Sequence, residues 1–207
     1  MSDSDIGRDH VVSGSEAVSG AVVDPADPRL ARLHRLIDTH SLQRGEFTLS
    51  SGRKSNYLFQ LRQTTMLPEG AHLLGDMIVD FMTAHDLGCV GGLAVGAIPL
   101  VSAILVLSHA KGAPVDAFFV RKEAKSHGAL ERIDGHVRDG AEVLIVDDVA
   151  TSGGSILKTI EGLKAEHPSC RAAKALVVVD REEGAAEALA AQGVELFAIF
   201  KRSDFRI

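Results

Sequence analysis

Val143-Leu144-Ile145-Val146-Asp147-Asp148-Val149-Ala150-Thr151-Ser152-Gly153-Gly154-Ser155 is the stretch on which the reading of the fold turns. Four consecutive apolar residues predict a strand buried on both faces, as in a parallel sheet. Two acids and a run of small and hydroxylic residues follow. A helix then starts near Ser155, with Ile156, Ile160 and Leu163 on one face. In an open parallel sheet, ligands bind beyond the carboxyl ends of the strands, where residues 147–155 fall. Gly153 and Gly154 let the backbone approach an anion, and free amides of residues 151–155 at a helix start favour negative charge. Thr151, Ser152 and Ser155 add hydroxyl donors. Asp147 and Asp148 would repel a bare phosphate but accept hydrogen bonds from a vicinal diol, at roughly 1.5–3 kcal/mol for each charge-assisted bond. A ribose 5-phosphate carries both groups.

Outward from this stretch, apolar strands alternate with helix-length segments. Strands are expected over residues 89–93, 115–120, 142–146, 175–179 and 195–199, and helices over 99–109, 155–167 and 183–192. This order predicts an α/β fold, a mostly parallel central sheet with helices on both faces. Upstream, Leu30, Leu33 and Ile37 share a helical face, and Pro68 opens a second helix running to about residue 85. Residues 47–61 between them read as extended, interrupted at Ser50, Ser51 and Gly52. Residues 121–140 are polar and without period, and a loop of that length inside a compact domain is usually functional.

The chain has 207 residues, enough for one domain with a sizeable core, and 45% are apolar. Residues 1–28 hold six acids and one base, so this tail carries −5 of the net −6, and the rest is nearly neutral. A globally basic nucleic-acid binder is disfavoured. The tail, rich in Ser, Gly and Asp without an apolar period, is expected to be disordered; a partner-binding arm is the other reading. No apolar run approaches the ~18 residues of a membrane span, and no secretory pattern opens the chain. Two cysteines, Cys89 and Cys170, make no disulfide framework, and a cytoplasmic location is expected.

Other phosphate or nucleophile motifs do not fit. No lysine follows Gly154 as in a P-loop, and neither Gly-x-Gly-x-x-Gly nor Gly-x-Ser-x-Gly occurs in the stretch. A plain helix cap needs one Ser, Thr or Asp; two acids and five small or hydroxylic residues exceed that. The segment resembles the 5-phosphoribosyl 1-pyrophosphate (PRPP) motif of the type I phosphoribosyltransferases.

Three further stretches narrow the resemblance: Arg121-Lys122-Glu123-Ala124-Lys125-Ser126-His127-Gly128, Phe47-Thr48-Leu49-Ser50-Ser51-Gly52-Arg53-Lys54-Ser55-Asn56-Tyr57, and Val179-Asp180-Arg181-Glu182-Glu183. With them, residues 29–207 are similar to the orotate phosphoribosyltransferase family. The resemblance implies a type I phosphoribosyltransferase domain over 29–207 with a small N-terminal hood at about 29–66. The implied reaction joins orotate and PRPP into orotidine 5′-phosphate and pyrophosphate, in de novo UMP biosynthesis. PRPP would be held by Asp147, Asp148, Val149, Ala150, Thr151, Ser152, Gly153, Gly154 and Ser155, and its pyrophosphate by Arg121, Lys122, Lys125 and His127. Three cations within five residues, beside a predicted phosphate site, match an anionic leaving group. Lys125 is the implied catalytic residue. Thr151 and Arg181 would hold orotate; a two-pronged guanidinium suits its carboxylate. Mg²⁺ would ride mainly on PRPP and pyrophosphate oxygens, so no residue is assigned as its ligand, and no His-Glu-x-x-His spacing occurs. Family members act as dimers, with loop 121–135 closing over the neighbouring subunit's site.

The chain also departs from the family pattern. Ser50 stands where a lysine is common, residues 91–99 carry no basic side chain, and Ala129-Leu130-Glu131-Arg132 replaces a glycine-rich run. Two alternatives remain at this point. A purine-type phosphoribosyltransferase would differ in its acceptor base. A PRPP-sensing transcriptional regulator would want a basic DNA-binding segment, where this chain has an acidic tail.

Overall fold

A computed structural model describes residues 22–48, 52, 54–122 and 132–207. Helices α1 (Pro28–Leu36), α2 (Arg62–Thr65), α3 (Pro68–Ala84), α4 (Ile98–Ala110), α5 (Gly154–Glu166) and α6 (Ala185–Ala190) alternate with strands β1 (Leu42–Thr48), β2 (Lys54–Phe59), β3 (Cys89–Leu93), β4 (Asp116–Val120), β5 (Ile133–Gly135), β6 (Glu142–Ala150), β7 (Arg171–Asp180) and β8 (Glu195–Lys201). The central sheet has the order β5-β4-β3-β6-β7-β8. All its pairings are parallel except β4 with β5. The α/β expectation therefore holds.

The apolar strands alternate their side chains between two cores. Leu144, Val146, Leu176 and Val178 face the layer of α3 and α4, where Leu74, Met77, Ile78, Phe81, Leu100 and Ile104 are buried. Val143, Ile145, Ala175 and Val177 face α5 and α6, against Ile156, Ile160, Leu163 and Leu189. A strand covered on both faces has no need of polar residues until it leaves the sheet, which is why 143–146 reads as a continuous apolar run.

From β3 the chain moves outward to β4 and β5, then returns to β6 and moves outward the other way to β7 and β8. The direction of travel reverses between β3 and β6, and the crevice beyond their carboxyl ends is the favoured ligand position in such a sheet. The polar stretch 121–140, expected to lack regular structure, contains β5. Three residues are too short to show a period, and β5 is fixed by its antiparallel pairing with β4.

Upstream, β1 and β2 form a separate antiparallel hairpin with a register shift between Arg44 and Phe47. The expected helix from residue 29 passes at Ile37–Ser41 into a π-helical turn that leads into β1. Residues 22–27, read as tail, already belong to the folded chain. Val22 and Val23 pack on the core, and Asp27 caps α1 by accepting from Arg29 N–H at 2.8 Å. Residues 1–21 lie outside the described residues.

Candidate active site

β6 runs further than the apolar run predicts. It reaches Ala150, so Asp147 and Asp148 lie within the strand, followed by Val149 and Ala150, and are not part of a loop after it. Parallel pairing with β7 continues through Ala150 and Asp180, which holds both acids rigidly at the crevice. Asp147 is buried and Asp148 half-buried. Each turns back on the chain: Asp147 Oδ1 accepts from Asp148 N–H, and Asp148 Oδ1 from Val149 N–H, both at 2.9 Å. Burial pushes the Asp147 carboxyl up to about 8, and the charge of Asp148 adds to the effect. A hydrogen bond from Ser155 acts in the opposite direction.

Beyond the strand, residues 151–153 turn sharply into α5. Gly153 has φ +78°, a left-handed conformation that a side chain would strain, and a Cβ there would lie 3.3 Å from Leu189 of α6. The turn encloses a cavity of about 260 Å³ lined by residues 149–156 together with Asp147 and Lys158. Backbone amides at the α5 start, three hydroxyls and a lysine converge there, a donor set for a phosphate. Lys158 escaped the sequence reading. It lies one helical turn beyond Gly154, a spacing that brings it back over the helix start.

Across the crevice, β3 ends in the turn 94–97, which contains a cis peptide between Ala94 and Val95 and leads into α4. Gly96 lies against the acids: a Cβ there would sit 3.0 Å from Asp147 Oδ1 and 3.1 Å from Asp148 Oδ1. This turn carries no basic side chain and offers only its backbone.

Arg181, at the end of β7, is buried to 9% exposure beneath the hairpin. Its Nη2 lies 2.8 Å from Glu183 Oε1, and Nε and Nη2 approach the Tyr57 hydroxyl at 3.3 and 3.2 Å. Its guanidinium carbon is also 4.9 Å from the centre of the Tyr57 ring. The turn that delivers it is pinned by Asp180, whose Oδ1 accepts from Glu182 N–H at 2.9 Å, and burial raises the Asp180 carboxyl. Arg181, Tyr57 and Glu183 line a cavity of about 430 Å³ with Glu46, Lys54 and Asn56. Thr151, assigned in the sequence reading to PRPP and, with Arg181, to orotate, lines the phosphate cavity. The two residues are linked through the backbone, where Arg181 N–H donates to Ala150 O at 2.9 Å.

Arg121 leaves β4 and forms an ion pair with Asp134 of β5. Its backbone N–H donates to Arg132 O at 2.8 Å. Glu166, at the end of α5, accepts from Arg132 N–H at 2.7 Å and from Ile133 N–H at 3.3 Å. The stem of the basic loop is thus fixed to the helix whose other end forms the phosphate cavity. Lys122 follows directly; Lys125 and His127 lie outside the described residues. Neither Asp134 nor Glu166 was singled out from sequence, because their roles appear only when β5 pairs with β4.

A sequence profile of the phosphoribosyl transferase domain matches residues 89–195. The orotate phosphoribosyltransferase of Bradyrhizobium sp. (strain ORS 278) is 44% identical over 179 residues, covering 84% of this chain and 96% of the relative. That of Rhodopirellula baltica is 40% identical over 188 residues, covering 88% and 96%. Among solved structures, orotate phosphoribosyltransferase of Mycobacterium tuberculosis in complex with PRPP superposes with a TM-score of 0.71 at 34% identity, over 86% of this chain and 98% of that one. With the acid pair and phosphate turn at the β3–β6 crevice and relatives this similar over nearly their whole length, the chain belongs to the orotate phosphoribosyltransferase family.

Proposed function

We propose that this protein transfers the 5-phosphoribosyl group of PRPP to orotate, giving orotidine 5′-phosphate and pyrophosphate in de novo pyrimidine (UMP) biosynthesis. The observation that carries the reading is the rigid acid pair at the end of β6, with a phosphate-sized cavity on one side and a buried arginine under the hairpin on the other. Residues 29–207 act as one unit, with 29–66 as a hood over the crevice.

In this reading, residues 151–155 and Lys158 hold the 5′-phosphate, and Asp147 and Asp148 accept from the ribose hydroxyls. Arg181 faces the orotate carboxylate, with Thr151 at the ribose end. Arg121, Lys122, Lys125 and His127 meet the pyrophosphate. The C1–O bond breaks with its electron pair leaving on pyrophosphate, while the orotate ring nitrogen bonds to C1 and gives up its proton. Lys125 tightens its contact as the leaving charge grows, which is binding that accelerates. The stem of the basic loop is tied to α5, where Glu166 accepts from Arg132 and Ile133 N–H.

Magnesium fits this donor set as a companion of the substrate. In this reading Asp147 and Asp148 accept from the ribose hydroxyls, and the metal's ligands come mainly from the PRPP oxygens. Mg²⁺ bound to PRPP oxygens would neutralise the departing pyrophosphate.

A homodimer is supported by α4, which is apolar on all sides and leaves Val106 70% and Leu105 43% exposed. Val95, in the turn that leads into α4, is also exposed, at 58%. The basic loop 121–135 would then serve the neighbouring subunit's site. The cytoplasm is the proposed compartment: Cys89 and Cys170 are both free and buried, and burial pushes the Cys89 thiol up to about 12. No helix among the described residues is long and apolar enough to cross a membrane.

An acceptor panel tests the reading. Purified protein with PRPP and Mg²⁺ should consume orotate and leave adenine, hypoxanthine and uracil unchanged. Preferential use of a purine would overturn it.

A further inference from the structure

The acid pair is shared between two cavities. Asp147 opens into the phosphate cavity, whereas Asp148 opens into a separate one of about 680 Å³, lined also by Gln60, Arg62 and Gln63 at the hood's junction with α2. The order of atoms in a phosphoribosyl ring gives this division a direction. The carbon bearing the 5-phosphate arm adjoins C3, and the carbon bearing the diphosphate, C1, adjoins C2. With the 5′-phosphate in the cradle beside Asp147, the next acid along the strand meets the C2 end. The space beyond Asp148 therefore receives what hangs from C1.

Arg62 stands there in no ion pair among the described residues. Arg29, Arg32, Arg44, Arg121, Arg138 and Arg181 each lie on a carboxylate. Arg62 is exposed and forms no ion pair or side-chain hydrogen bond among the described residues. Gln60 and Gln63 flank it with amide donors. No other residue lining the cavity is basic, so its positive charge comes from Arg62.

We infer that Arg62, supported by Gln60 and Gln63, is a binding residue for the diphosphate of PRPP and for product pyrophosphate, supplied by the same chain that holds the ribose. This rests on the proposed phosphoribosyl transfer and adds a residue to it. A guanidinium matches a diphosphate with paired donors, and its charge opposes the Asp148 carboxylate that would otherwise repel that group.

The test is calorimetric titration of the full-length protein with inorganic pyrophosphate and Mg²⁺, and separately with ribose 5-phosphate. Wild type, Arg62→Gln and Arg62→Lys are compared, with steady-state kinetics alongside. Arg62→Gln is expected to weaken pyrophosphate binding about tenfold or more. It should raise the KM for PRPP, leave ribose 5-phosphate binding within about twofold, and leave the KM for orotate unchanged; Arg62→Lys should fall between. Unchanged pyrophosphate affinity would overturn the inference. So would an equal loss of ribose 5-phosphate binding, which marks a structural role, or an effect confined to orotate, which puts Arg62 on the base. A wild-type protein that binds pyrophosphate through Arg62 yet does not turn over orotate would instead overturn the proposed function.

Discussion

Replacing Asp147 with Asn should stabilise the ligand-free protein in a pH-dependent way while impairing it as an enzyme. Asp147 is 7% exposed, and its carboxyl titrates at about 8 against 3.8 for the unperturbed group, chiefly through burial and secondarily through Asp148. As pH rises through 4, the unfolded chain gives up this proton while the folded chain keeps it. Folding stability therefore declines with rising pH until the folded group ionises near 8, and is flat above. About four pH units at ~1.4 kcal/mol each set a ceiling of about 6 kcal/mol on the loss. Asn keeps the carbonyl oxygen that accepts from Asp148 N–H at 2.9 Å and never ionises. The melting temperature of Asp147→Asn minus that of wild type should thus grow between pH 5 and pH 8.5. A gain of even 2 kcal/mol would register as roughly 4–8 °C for a chain of this size. Calorimetry or circular dichroism melts of the two proteins across that range make the measurement. A difference independent of pH would refute the account of Asp147 as a desolvated carboxyl beside a second acid. Activity should fall most above pH 8, where the wild-type group is ionised, because an amide is a weaker acceptor for a ribose hydroxyl than a carboxylate.

Other perturbations separate the parts of the site. Lys125→Ala should lower kcat by orders of magnitude with a modest change in PRPP affinity; equal turnover in the purified variant would remove Lys125 from the chemistry. Arg181→Lys keeps the charge but loses the fork, so the KM for orotate should rise at least tenfold while that for PRPP moves little, as steady-state kinetics would read. Val106→Glu sets a charge on the exposed face of α4 and should convert a dimer to monomers in sedimentation experiments, with loss of activity. A monomeric wild type with full activity would dismiss that face as the interface.

Much of this was legible along the chain because it depends on local pattern. The sheet followed from apolar strands spaced by helix-length segments, and the phosphate cavity from a strand, a small-residue turn and a helix start that are contiguous between residues 142 and 166. Contacts between distant residues were not legible. Tyr57 meets Arg181 across 124 positions, and Glu166 holds Arg132 across 34. No spacing announces such pairs; they arise from the hairpin folding over the end of β7 and from α5 passing beside β5. Length also hid elements. α2 has four residues and β5 three, too few for a period, and each is defined by its neighbours. The end of β6 was misread for a related reason. Asp147 and Asp148 look like the polar start of a loop, but pairing with β7 keeps them in the strand, and that rigidity is what suits them to hold a ribose. The division of the acids between two cavities, and with it the place of Arg62, was visible only once the hood and the crevice were set against each other.

The most direct test of the central claim is the absorbance of orotate followed in the presence of PRPP, Mg²⁺ and purified full-length protein, with pyrophosphate measured in parallel. Orotate should disappear only when PRPP is present, with one pyrophosphate formed for each orotate consumed. Stable orotate under these conditions, or pyrophosphate released while orotate persists, would contradict it.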